Sequence, residues 1–182
     1  MLRRLLYRLG ARLPCRLITR DDGQPYLERY AMPAGLRRLL ASLGLTVYLH
    51  RFVGGDVDRW VHDHPWRFAI AILLTGGYLE ERVRSLAPGG WRAVTRSIQG
   101  WRRINVILAR DFHRIAIARP DTWTLFVCTK RVKDWGFLEQ DWHGDTPRLI
   151  YHQPFNTQAT LGWEAAAPLG REFHRAPLQD TA

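Results

Sequence analysis

Between Leu45 and Lys130 the chain is written as a series of short segments with strand periodicity, cut by turn residues at fairly even spacing. "LTVYLHRFVGG" alternates and ends in Gly-Gly, and "DVDRWVHDH" alternates with Trp60, His62 and His64 on one face. "FAIAILLTGGYLEERV" is an apolar run that turns polar after Gly76 and Gly77, and "APGG" at 87–90 is hairpin chemistry. "WRAVTRSI", "INVILA", "HRIAIA" and "WTLFVCTK" then follow in quick succession. Many short strands separated by turns cannot form a doubly wound or bundled fold. They predict an all-β sandwich or barrel. The 8 tryptophans agree, since large aromatics favour pleated, half-buried surfaces.

The flanks read differently. In "MLRRLLYRLGARLPCRL" the leucines 2, 5, 6, 9 and 13 recur at helical spacing with arginines between them. The segment reads as a basic amphipathic helix, packed on the domain or lying on an anionic membrane surface. Arginines interrupt its apolar run, so it does not read as a secretory leader. "PAGLRRLLASLG" at 33–44 reads as a second short helix, with proline near its start and glycine near its end. The expected organisation is therefore an N-terminal helical segment over 1–44, a β-barrel over 45–140, and a C-terminal extension over 141–182. That extension packs on the barrel or trails from it, and its last ~20 residues read as a loose tail.

Charge and cysteine content narrow the function classes. The net charge is +10, from 27 basic against 17 acidic residues. Only Lys130 and Lys133 are lysines, and the arginines are scattered rather than clustered. The pattern fits a solvated basic surface better than a phosphate-binding stripe, so a nucleic-acid partner is not expected. Cys15 and Cys128 have neither a CxxC spacing nor a third partner, which argues against a disulfide framework and points to a reducing, cytoplasmic setting. No Gly-rich phosphate loop and no G-x-S-x-G elbow is present.

The chemistry concentrates in "WVHDHPW" at 60–66. Residues i and i+2 of a strand project to one face roughly 6–7 Å apart. Two imidazoles so placed can converge on one ion, while Asp63 must point away. A third ligand has to arrive from another strand. His113, where "ARD" leads into "HRIAIA", is the candidate. The competing reading is that these histidines only hydrogen-bond in the interior. His50 shares a face with Tyr48 and Phe52, as a pocket or core residue. Arg67 is a candidate anion contact or a solvated turn residue. Trp66 and other tryptophans are packing residues, with one or two as a pocket wall. His143, His152 and His174 carry no assigned role.

On these residues the chain resembles the cupins, double-stranded β-helix barrels of the jelly-roll type. Gly54/Gly55, His62, His64 and Gly76 follow the first cupin motif, with Ala69 in the slot of its glutamate. His113 ends the second motif, without the usual proline and glycine and with Ile117 in place of the asparagine. "LHRF" (49–52), "HDHPW" (62–66), "GGYLEE" (76–81) and "WTLFVCTKRVKDWGF" (123–137) resemble a bacterial and phage cupin-like subgroup. The match covers roughly 45–140. The resemblance implies a metal on His62, His64 and His113. With three neutral imidazoles, as in thiol dioxygenases that use ferrous iron, coordination positions stay open. Iron, zinc, nickel, copper or manganese all suit such a set. Glu80 or Glu81 is a candidate carboxylate ligand, and Asp111 is expected to hold an imidazole from behind. Three functions follow: a metal-dependent enzyme such as a dioxygenase acting on a small molecule, a non-catalytic pocket for an anionic small molecule or sugar, and an interaction protein docking through its first helix. Homodimerisation through a sheet edge is a further expectation.

Overall fold

The computed structural model describes residues 1–19, 23–54, 61–87, 90–139, 148–151, 162–173 and 175–178. In chain order its elements are α1 (Leu2–Gly10), β1 (Cys15–Thr19), β2 (Pro25–Ala31), α2 (Ala34–Ser42), β3 (Leu45–Phe52), β4 (Phe68–Thr75), β5 (Gly77–Ala87), β6 (Gly90–Gln99), β7 (Ile104–Leu108), β8 (His113–Ala118), β9 (Thr122–Thr129), β10 (Gly136–Glu139), β11 (Arg148–Tyr151) and α3 (Trp163–Ala166). No helix among the described residues is long and apolar enough to cross a membrane.

All strand pairs among the described residues are antiparallel. One sheet runs in the order β1-β2-β3-β9-β4-β7 and another in the order β6-β5-β8, with β10-β11 as a separate pair. Residue His62 links the last two, bridging His113 on one side and Phe137 on the other. Numbering β3, the 61–64 segment and β4 to β9 as one to eight makes the topology plain. One pairs with eight, two with seven, three with six and four with five. The long hairpin so formed is wound until eight meets three and seven meets four. The result is two facing sheets, 1-8-3-6 and 2-7-4-5, which is a jelly roll. The crossing from β4 to β5 requires Gly76. Its φ is 77°, and a Cβ there would stand 2.8 Å from Thr122 Cα.

Alternation along β3 sorts side chains to two cores. Tyr48, His50 and Phe52 face the inter-sheet interior, where Phe52 packs with Tyr26, Leu27, Leu73, Tyr78, Ile98 and Ala118. Leu49 packs on the outer face with Leu6, Leu13, Cys15, Tyr30 and Trp123, beneath α1. Arg51, also pointing out and 1% exposed, is held there by Asp121 (2.6 Å), Glu28 (3.0 Å) and the carbonyls of Ala176 and Pro177.

Three expectations need correction. The 1–44 segment is not purely helical. α1 stops at Gly10, and β1 and β2 extend the sheet of β3. Leu13 keeps the helical spacing of the leucines but packs from the turn after the helix. Residues 163–173 and 175–178 are not a loose tail, since Leu169 bridges Pro14 and the 176–177 carbonyls cap Arg51. Residues 61–66 are not a continuous strand. They join the second sheet through a single bridge at His62, and Trp66 bridges Arg131 just after β9, while 55–60, and with them Trp60, lie outside the described residues.

Candidate metal centre

His62 and His113 are paired through their backbones. Each N–H donates to the other's carbonyl at 2.9 Å, which brings the 61–64 segment against the start of β8. From the other side, Asp63 N–H donates to Gly136 O, and Gly136 N–H donates to Asp63 Oδ1 at 2.8 Å. Lys133 closes on the remaining Asp63 oxygen. Asp63 thus points away from its two histidines, as its place between them predicts, and fastens the segment to β10.

The structure brings the three histidines together. One ligand-capable nitrogen from each of His62, His64 and His113 lies within 4.8 Å of the other two. The rings stand 5.2 Å (62–64), 5.3 Å (62–113) and 4.9 Å (64–113) apart. His64 and His113 are 8% and 3% exposed, and His62 is half-buried. His64 Nε2 and His113 Nε2 approach to 2.7 Å.

Glu80 orients the cluster from behind. Its Oε1 accepts from His113 Nδ1 (2.7 Å), Arg82 Nη2 (2.9 Å) and Asn105 Nδ2 (2.9 Å), and Oε2 accepts from Arg96 Nη1 (3.3 Å). A carboxylate can only accept here, so His113 carries a proton on Nδ1 and presents its Nε2 to His64. Burial alone would raise the Glu80 pKa. The His113 hydrogen bond and charge, the Arg82 charge and Asn105 outweigh it and bring it down to about 2. Glu80 is therefore a carboxylate at neutral pH. His64 is pushed well below the ordinary imidazole value, first by burial and then by His113, His62, Arg29 and His50. It stays neutral, which is the form a metal needs.

The other expected residues separate cleanly. Asp111 does not meet an imidazole. It accepts from Arg82 Nη1 at 3.0 Å and from the Leu108 N–H at 2.9 Å, tying the turn before β8 to β5. Glu80, on the neighbouring strand, takes the role expected of Asp111 and lies behind His113 rather than among the grouped ligands. Glu81 faces outward to Arg114 at 2.7 Å. His50 is a core histidine whose Nε2 accepts from Arg29 Nε at 3.1 Å, with its ring on Phe126 at 4.9 Å. Arg67 is exposed. Trp66 lines the site, stacked on His64 at 5.0 Å and 22°. His143, His152 and His174 lie outside the described residues.

Sequence reasoning did not single out Arg82, Asn105, Phe126 or Phe137 around the cluster, while Trp135 is among the tryptophans expected to pack the barrel or wall a pocket. Trp135 stands 6.2 Å from His62 and 6.1 Å from His64, and Phe137 stands 5.8 Å from His62. Only the "WGF" string hinted at an aromatic wall there. Arg82 and Asn105 look like ordinary strand polar residues until the fold packs them against Glu80.

The donor set fits a divalent transition metal. Nitrogens each ~2.0–2.1 Å from a tetrahedral zinc lie ~3.3 Å apart. Small ring rotations that open the 2.7 Å contact between His64 and His113 reach that spacing. Glu80 behind His113 is the carboxylate–histidine arrangement that fixes a ligating ring.

No family model and no curated protein matches the chain. Solved structures do. An oxalate oxidase in complex with the substrate analogue glycolate is 18% identical over 53% of this chain and 47% of that one, with a TM-score of 0.39. A recombinant oxalate oxidase in complex with glycolate is 15% identical over 66% and 59%, with a TM-score of 0.46. A vicilin from Corylus avellana (hazelnut) is 10% identical over 61% and 30%, with a TM-score of 0.44. The chain thus spans between 30% and 59% of the length of these proteins. Strand connectivity defines the class: a jelly roll carrying three grouped histidines on its second sheet.

Proposed function

We propose that the protein holds a divalent transition metal ion on His62, His64 and His113 and uses its open coordination positions on a small molecule, as a three-histidine oxygenase or a related enzyme. One observation carries this reading: three imidazoles from two distant stretches of chain converge within 4.8 Å, with His113 oriented by a fully buried carboxylate. A bound ion would supply Lewis-acid or redox chemistry to a ligand in its open positions. The chain's own part is to hold the His64 ring neutral, to wall the cluster with Trp66, Phe126, Trp135 and Phe137, and to keep the Nδ1 proton of His113 on the Glu80 side.

A second reading is a non-catalytic pocket. It is favoured by the commitment of each carboxylate near the cluster among the described residues. Glu80 serves His113, Arg82, Asn105 and Arg96; Asp63 serves Gly136 and Lys133; Asp111 serves Arg82 and Leu108. None is free to act as a general base.

Elemental quantitation of protein purified without chelators tests the metal. About one ion per chain is expected in the wild type, and a small fraction of that in His62→Ala and His113→Ala. Folded wild type without metal, or variants that keep it, would refute the assignment. Turnover with dioxygen consumption then separates the enzyme from the pocket.

A further inference from the structure

The buried arginines among the described residues have carboxylate partners. Arg51 pairs with Glu28 and Asp121, Arg82 with Glu80 and Asp111, and Arg175 approaches Glu28 at 3.6 Å. Arg29, partly buried on β2, pairs with no carboxylate among the described residues. Its Nε donates to the neutral His50 Nε2 at 3.1 Å, and its guanidinium lies 5.3 Å from the centroid of the Tyr48 ring. Withdrawal from water lowers its pKa, the mark of a cation without an adjacent counter-charge.

Its position is what matters. Arg29 stands opposite His50 in the β2–β3 register, and His50 stands opposite Thr124 on β9. Side chains opposite one another in such a ladder share a face, here the inner face that looks toward the second sheet and its histidines. From His50 an unbroken aromatic path leads to the cluster. His50 stacks on Phe126 at 4.9 Å, and Phe126 lies 6.3 Å from His64 and 5.3 Å from Trp66.

We infer that Arg29 is the anion-recognition residue of this site and that the ligand is a small carboxylic acid. Its carboxylate pairs with the Nη edge of the Arg29 guanidinium, its body lies along Phe126 and Trp66, and its other end reaches the histidine cluster. A planar two-oxygen acceptor is the natural complement of the guanidinium fork. A neutral ligand would leave the cation as it is, unpaired in a poorly solvated place. This inference rests on the cluster being a ligand site. It also replaces Arg67, the exposed arginine that the sequence offers for the same task.

Isothermal titration with benzoate, and with benzamide as its neutral counterpart, tests the inference on metal-free and zinc-loaded protein. Benzoate is expected to bind wild-type protein at least about tenfold more tightly than benzamide and to weaken with added NaCl. Arg29→Met is expected to lose benzoate affinity on the order of 30-fold or more, while its zinc affinity stays within a few-fold of wild type. Equal binding of the two probes by wild type, or an undiminished benzoate affinity in folded Arg29→Met, would overturn it. If Arg29→Met does not fold, as judged by circular dichroism, the wild-type preference and its salt dependence decide between the two outcomes. Arg29-dependent benzoate binding in a protein that takes up no zinc would sink the metal reading and leave this inference standing. Normal zinc binding without a benzoate preference would do the reverse.

Discussion

Glu80→Gln is the perturbation that best separates the metal centre from the fold around it. Gln keeps the shape and one carbonyl oxygen. Placed where Oε1 now stands, that oxygen can still accept from His113, Arg82 and Asn105, whose present distances are 2.7, 2.9 and 2.9 Å. The new amide then faces Arg96, whose side chain is 32% exposed and can turn to water. What is lost is charge. Three charge-assisted hydrogen bonds become neutral or half-neutral, at about 1 kcal/mol each, or about 3 kcal/mol in all. The depressed carboxyl pKa, set by the same contacts, gives a similar size. Lowering the carboxyl from 4.5 to about 2 in the folded protein corresponds to about 3 kcal/mol of stability at neutral pH. The sign follows from the depression. This stability is full above the unfolded pKa and is lost as pH falls from about 4.5 toward 2. Urea unfolding should therefore show a midpoint lower by roughly 1 M in the variant at pH 7. The gap between the two proteins should close as pH falls through that window. Zinc affinity, measured by competition with a chromophoric chelator, should drop about 10- to 100-fold because His113 loses the carboxylate that orients it. Folded Glu80→Gln with wild-type zinc affinity would refute the orienting role. A stability gap that persists unchanged to pH 2 would refute the electrostatic reasoning.

Other outcomes follow from the same structure. Arg51→Met should destabilise by about 3–5 kcal/mol, because Glu28 and Asp121 are left as buried charges without their cation. Chemical denaturation reads this directly, and a loss under about 1 kcal/mol would contradict it. Gly76→Ala should cost about 2–4 kcal/mol through the φ of 77° and the collision with Thr122, as a lowered melting temperature would report. Cys15 and Cys128 are each 1% exposed, with burial pushing both thiols up to about 12. Iodoacetamide at pH 8 should leave them unmodified in native protein and alkylate both in urea, as mass spectrometry would show.

Much of the jelly roll is legible along the chain because its signal is local. β3 to β9 each carry their own period or apolar run, and Gly76 and the "APGG" turn mark where the chain must reverse. The pairing of His62 and His64 is legible for the same reason. β1 and β2 are not. "CRLIT" continues the leucine-arginine texture of α1, and the leucine spacing runs on to Leu13 without showing that the helix has ended at Gly10. Glu28 and Arg51 look like surface charges, because their partners stand tens of residues away: 23 from Glu28 to Arg51 and 70 from Arg51 to Asp121; Glu80, 33 residues from His113, stands out only as a candidate ligand and not as the partner of that ring. Asp111, two residues from His113, looks closer in sequence than Glu80 yet lies farther from the imidazole's needs. A neighbouring strand supplies a facing partner more readily than the same turn does. Arg29 is hidden by the same logic, as one arginine among many until β2 takes its place beside His50.

X-ray absorption at the zinc edge of reconstituted protein bears on the three-histidine centre without intermediaries. One ion per chain is expected, with three imidazole nitrogens at about 2.0–2.1 Å and lighter scatterers completing the shell. The set should shrink by one imidazole in His113→Ala. An edge spectrum without imidazole scattering, or one unchanged by that substitution, would be incompatible with a metal held on His62, His64 and His113.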